Sequence, residues 1–261
     1  MSDINMSDIK KAYLTKAAPK PVTLCYSGKE ILLRPIKIRD KKEFLKVLEG
    51  SDETAIDAFA DKLIEKYAAT DDEVPIDAKK LVDQERQQIL TEIRKNSTEF
   101  DYASIDHVCS ACGKTNVDVK FPFTNITTKF FKEPEQTNVI VSKNGDVSFA
   151  VGLLSRGDNL EIEKYIKDSK VTSEVEKNFI FLASTIKAIT VSIDDVKKEV
   201  TPSIKERVEF AESLTLDDFE RIKNYFAQIK GFGTFLEMDF TCVHCQQQSK
   251  DEVKFIDFFI K

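Results

Sequence analysis

Apolar positions along this chain recur mostly at helical spacing, interrupted by a few short stretches in which they alternate. Val22 to Tyr26 and Ile31 to Ile38 are β-rich around Ser27-Gly28 and predict a hairpin, with Pro35 marking a strand end or edge. Asp40 is placed to cap a helix from about Lys41 to Glu49, with Phe44, Leu45 and Leu48 on one side and Gly50 ending it. Ser51 opens a second helix, through Ile56, Phe59, Ala60, Leu63 and Tyr67. Beyond the acidic turn Asp71-Asp72-Glu73 and Pro75, a longer helix runs to about Lys95. Its apolar positions (Leu81, Val82, Ile89, Leu90, Ile93) are set among charges and face the chain's own core.

The second half follows the same alternation of periods. Asn125 to Pro134 reads as a polar connection. Val139 to Val141 and Val147 to Val151 flank Asn144-Gly145, a strong hairpin signal. A helix is expected near Leu160 to Lys167, then a more apolar and most buried one through Phe179, Leu182, Ala183, Ile186 and Ile189, and a short strand within Val191 to Val200. Ser203 and either Ser213 or Thr215 are placed to cap the last two helices. The second of these carries an aromatic-rich face of Leu216, Phe219, Ile222, Tyr225, Phe226 and Ile229, ended by Gly231 and Gly233. Residues 1–21, polar and rich in Lys and Ala, read as an N-terminal arm. The apolar run Phe255 to Ile260 is expected in the core.

The candidate chemistry lies in four cysteines. Cys109 and Cys112 form one Cys-x-x-Cys pair and Cys242 and Cys245 another, with 129 residues between them. A two-residue spacer turns both thiolates of a pair toward one point, and two pairs make a tetrahedral four-sulfur site that suits zinc. The flanks match. Ile105 to Val108 and Met238 to Thr241 read as strands entering a turn, and Val119-Lys120-Phe121 and Val253-Lys254-Phe255 return at similar offsets. Each half is therefore a strand, a cysteine knuckle and a return strand, as in half a zinc ribbon, with the intervening chain as an insertion. Cys25 alternates like a strand residue and is read as a small buried hydrophobe. His107 and His244 are read as neighbours of the site, because four cysteines already close a tetrahedron.

Composition narrows the function classes. The chain has 261 residues, 41% hydrophobic and 32% charged, with no apolar run of membrane-spanning length. The N-terminus lacks the apolar core of a signal peptide, which points to a cytosolic product and argues against disulfides. Net charge is −6, and no Arg/Lys run interleaved with aromatics lies near either knuckle, so nucleic acid is a less favoured partner than protein. No Gly-rich phosphate loop or paired acid and base is present, and a four-cysteine zinc has no open position to activate water. The chain reads as a non-enzyme.

The order of elements resembles the baseplate hub subunit and baseplate hub assembly family of T-even-like tailed phages. The resemblance rests on Leu33-Arg34-Pro35 followed by helices, Arg94-Lys95-Asn96-Ser97 before the first pair, Cys109-x-x-Cys112-Gly113, and Glu212 to Phe219 with Tyr225-Phe226 before the second pair. Phe258-Phe259 closes it. Gln246 stands after the second pair where the family often has Gly. The resemblance implies tail assembly through contacts with other baseplate hub or tail proteins, in the host cytoplasm and in the virion baseplate. The expected fold is α+β: an arm over 1–21, a hairpin with helices over 22–98, a discontinuous zinc-ribbon-like module over 99–123 plus 234–261, and an inserted hairpin and helical segment over 124–233. One structural Zn2+ is expected on Cys109, Cys112, Cys242 and Cys245. The alternatives are a zinc-ribbon nucleic-acid-binding regulator and a thiol oxidoreductase, the latter requiring accessible low-pKa cysteines.

Overall fold

A computed structural model of the protein describes residues 19–50, 53–98, 100–142, 145–193, 196–229 and 231–253. The fold is α+β, with seven α-helices among these residues and strands that pair antiparallel throughout. Two compact units divide the chain. One is drawn from the described parts of Met1–Ala78, Gln84–Phe130 and Gly233–Lys261, the other from Lys79–Asp83 and Phe131–Phe232.

In the first unit β1 (Lys20–Thr23), β2 (Glu30–Leu33) and β3 (Ala68–Ala69) form a small sheet in that order, beside α1 (Ile38–Gly50), α2 (Glu53–Tyr67) and α3 (Asp83–Asn96). The β1–β2 hairpin is pinned by polar side chains of α3. Gln88 accepts from the Cys25 N–H at 2.8 Å and donates to the Thr23 carbonyl at 2.8 Å, and Glu85 accepts from the N–H and hydroxyl of Ser27. These bonds offset the cost of burying Glu85 and Gln88. Cys25 is buried as expected, and that burial pushes its thiol up to about 11.

The same unit contains β4 (Tyr102–Val108), β5 (Thr115–Pro122), β6 (Ile126–Lys129), β11 (Gly233–Thr241) and β12 (Gln248–Glu252). β4 pairs with β5, while β11 lies between β12 and β6. Ile126 faces Leu236 and Lys129 faces Gly233, so two segments far apart in sequence are joined by a ladder.

The second unit has a four-stranded sheet in the order β10 (Val196–Val200), β9 (Ile186–Ile193), β8 (Val147–Val151) and β7 (Val139–Val141). With it are α4 (Arg156–Asp168), α5 (Glu174–Ser184), α6 (Ile204–Ser213) and α7 (Leu216–Gln228). Its core joins Ile140, Phe149 and Val151 of the sheet to Ile162, Ile180, Val208 and Ile222 of the helices. Asp158 completes a capping box with Ser155 at the start of α4 and meets Lys187 at 2.7 Å and Arg207 at 3.2 Å. Burial works against its charge, but these donors win and hold its pKa down at about 2.

Several expectations need correction. The helix beginning after Asp40 starts at Ile38, and Asp40 sits inside its first turn, where it accepts from Lys66 and from the Tyr67 hydroxyl. The long helix toward Lys95 begins at Asp83. Ala78–Lys80 form a 3-10 turn before it, and Val82 bridges to Ser155. The helix expected near Leu160 starts earlier, at Arg156. The polar connection Asn125 to Pro134 contains β6. The apolar helix through Ile189 stops at Ser184, and Ile186 opens β9. Only Ile180, Ala183 and Ser184 of that helix are buried, so it is not the most enclosed. Lys20 and Pro21, assigned to the arm, belong to β1. Ser51, residues 1–18 and the run Phe255 to Ile260 lie outside the described residues.

Candidate metal centre

The two cysteine pairs form turns of one design. After β4, Cys109 accepts from the Gly113 N–H at 2.9 Å and donates to the Lys114 carbonyl at 3.0 Å. After β11, Cys242 accepts from the Gln246 N–H at 2.9 Å and donates to the Gln247 carbonyl at 3.0 Å. Closing each turn requires a left-handed residue at the fifth position. Gly113 takes φ 70° there and Gln246 takes φ 61°. The departure from Gly at Gln246 therefore leaves the turn intact, with backbone strain at that residue.

The turns bring together the sulfurs of all four cysteines singled out by spacing, Cys109, Cys112, Cys242 and Cys245, within 4.8 Å of one another. Cys109 Sγ is 3.8 Å from Cys245 Sγ, and Cys112 Sγ is 3.7 Å from Cys242 Sγ. A tetrahedron with metal–sulfur bonds of about 2.3 Å has edges of about 3.8 Å, so the donor set and spacing fit a zinc-sized ion. Cys109 and Cys242 are buried, while Cys112 and Cys245 are exposed.

The local electrostatics favour thiolate at one position. Burial pushes the Cys242 thiol up, but the N–H groups of Cys245 and His244 and the amide of Asn116 outweigh it and bring it down to about 6. The Gln247 N–H favours a Cys245 thiolate, yet burial and the three neighbouring sulfurs prevail and push that thiol up to about 12. The cluster therefore holds both charge and protons that a cation would displace.

Neither histidine directs its ring at a sulfur. His107 Nε2 lies 2.8 Å from Asp251 and packs edge-on against Phe240, and His244 Nε2 lies 3.1 Å from the Thr115 carbonyl. The His244 contribution comes from its backbone N–H, 3.4 Å from Cys242 Sγ. A residue that sequence reasoning missed is Asn116, 3% exposed. Its amide donates toward Cys242 Sγ at 3.7 Å, and its carbonyl accepts from the Val243 N–H at 3.0 Å. One side chain on β5 thus steadies both a sulfur and the backbone of the opposite turn. Its only sequence signal is a polar residue four positions after Cys112, which is weak without the fold.

The geometry defines an α+β chain in which two cysteine knuckles, distant in sequence, bring four sulfurs together. Comparison with known families places it further. The family described as T4 bacteriophage base plate protein matches residues 20–260, and the chain belongs to that family. It is thus a phage baseplate protein. No curated protein and no solved structure matches the chain.

Proposed function

We propose that the chain is a component or assembly factor of the baseplate hub, and that Cys109, Cys112, Cys242 and Cys245 hold one structural zinc in a discontinuous ribbon. The observation that carries this reading is the meeting of the four sulfurs at tetrahedral spacing in a member of a baseplate family. The zinc would lock two knuckles contributed by distant segments, and so fix the surfaces that other tail proteins contact. A fully ligated ion leaves no position for substrate, so its role is mechanical rather than chemical. No helix among the described residues is long and apolar enough to cross a membrane, and the partners are taken to be baseplate hub or tail proteins. They would be met in the host cytoplasm during assembly and in the finished tail.

The test is native mass spectrometry of the chain co-expressed with hub neighbours, with and without a chelator. One zinc per chain within a defined complex is the expected result. Zinc without a complex would overturn the hub role. Absence of zinc after purification under reducing, metal-replete conditions would overturn the metal assignment. Binding to duplex or single-stranded DNA that weakens steeply with salt would transfer support to the nucleic-acid alternative.

A further inference from the structure

Strand β10 forms one edge of the four-stranded sheet, and all five of its residues are exposed. Its outward face can be deduced from its neighbours. The Ser192 N–H points to the β8 side, where it donates to the Asp146 carbonyl at 2.8 Å. Hydrogen-bonding direction alternates along a strand, so Val191 and Ile189 point the other way, toward their partners Lys198 and Val200. The N–H and carbonyl groups of Lys197 and Glu199 are then the ones that face out of the sheet. Side chains alternate as well. Val196, Lys198 and Val200 share the face of Ile189 and Val191, while Lys197 and Glu199 share the opposite face.

An open edge of this kind recruits another strand, and the charges select which one. We propose that β10 pairs antiparallel with β10 of a second copy of this chain, centred on Lys198, to make a continuous eight-stranded sheet about a two-fold axis. In that register Lys197 lies opposite Glu199 of the partner copy, twice over, through the two residues whose backbone groups face outward. Val196 lies opposite Val200, also twice, and covers side chains that are 57% and 56% exposed in the single chain. The adjacent permitted registers fail on charge. Centring on Lys197 sets lysine against lysine, and centring on Glu199 sets glutamate against glutamate. A shift by a single residue would oppose outward backbone groups to inward ones. The one unfavourable contact in the proposed register is Lys198 against its own copy, which keeps the association weak and reversible. Charged residues on an edge strand normally suppress promiscuous pairing, and this arrangement leaves a single self-complementary exception.

Sedimentation velocity of the whole chain over a concentration series tests the pairing. The unaltered protein should dimerise. Lys197→Glu or Glu199→Lys alone should weaken dimerisation by about ten- to a hundredfold, since each turns two attractive cross-strand pairs into repulsive ones. Mixing the two variants should restore a dimer that is purely heteromeric, because position 197 of each copy then faces an opposite charge at position 199 of the other. Lys198→Val should tighten the homodimer. Unchanged melting of these surface variants would show that the fold is preserved. A chain that stays monomeric at about 100 μM, a dimer indifferent to both charge reversals, or a mixture that fails to pair would each overturn the proposal. Pairing of β10 with a different tail protein and not with itself would do so equally.

Discussion

Removing one sulfur from the four-cysteine cluster isolates what a bound zinc contributes, and Cys112 is the sulfur to remove. It is exposed, whereas Cys242 is buried and accepts from the His244 N–H and the Asn116 amide, so Cys242→Ser would also disturb buried hydrogen bonds. The magnitude depends on the loop that the metal closes. A loop running directly from Cys112 to Cys242 would span about 130 residues and cost about 4 kcal/mol to close. The β6–β11 ladder, however, already joins the two segments at Ile126 and Leu236. Only about 20 residues remain for the metal to close, at about 2.7 kcal/mol. The metal-free protein should therefore remain folded, unlike small zinc fingers that gain about 10–16 kcal/mol from the ion. Zinc at about a thousandfold excess over its dissociation constant adds about 4 kcal/mol. At about 2–4 °C per kcal/mol, chelation and Cys112→Ser should each lower the affected transition by about 8–16 °C. Differential scanning calorimetry should show the two treatments coinciding. The transition carried by the Ile140–Phe149–Ile222 core, which contains no cysteine, should stay in place. Melting unchanged to within a degree would refute the metal's role. Complete unfolding on chelation would refute the idea that the ladder prearranges the site.

Three further outcomes are expected. Gln246→Gly should raise the melting temperature by about 2–4 °C, because it relieves about 1 kcal/mol of left-handed strain at φ 61°; a lower value would show that the side chain's bond to the Val243 carbonyl matters more. Arg94 is 8% exposed and its Nε meets no acceptor, while burial lowers its pKa, so Arg94→Met should leave stability unchanged or raise it in denaturant titration. A loss of more than about 1 kcal/mol would contradict this. Asp158 has its pKa depressed to about 2, so its stabilisation, about 2.5 kcal/mol, is present above the unfolded value near 3.8 and is lost as pH falls through about 2. Circular dichroism between pH 5 and 1.5 should show that Asp158→Asn removes this leg of the acid dependence, and an identical acid profile would exclude it.

The meeting of the four cysteines was readable because its signal is local. Cys109 and Cys112, and Cys242 and Cys245, each carry the turn in their own spacing, and flanking alternation supplies the strands. Helix starts were readable where a hydroxyl stands before an apolar run, as at Ser203 and Thr215. β6 was not readable. Ile126-Thr127-Thr128-Lys129 is short and polar, and it becomes a strand only because Gly233 to Leu236 arrive beside it. The junction at Ser184 was misread for a related reason. Phe179, Leu182, Ala183 and Ile186 keep helical spacing, but the β-branched run from Ile186 to Ile193 pairs on both sides, with β8 and β10, and that pairing prevails. Asn116 was missed because a lone polar residue in a strand signals nothing until its opposite turn is in place.

The ladder between β6 and β11 also sets an order of events during synthesis. The first knuckle and β6 leave the ribosome roughly 100 residues ahead of β11, a wait of about 5–20 s at translation rates of about 5–20 residues per second. During that interval the first pair of thiols has no partner pair, β6 has no ladder, and residues 131–232, the larger part of the second unit, emerge between them. β11 then supplies the ladder partner of β6, the second knuckle that follows it completes the sulfur cluster, and β12 adds the other edge of the sheet. A nascent chain interrupted before Gly233 would thus present half of a sulfur site and an unpaired strand, and would be chemically distinguishable from a finished one.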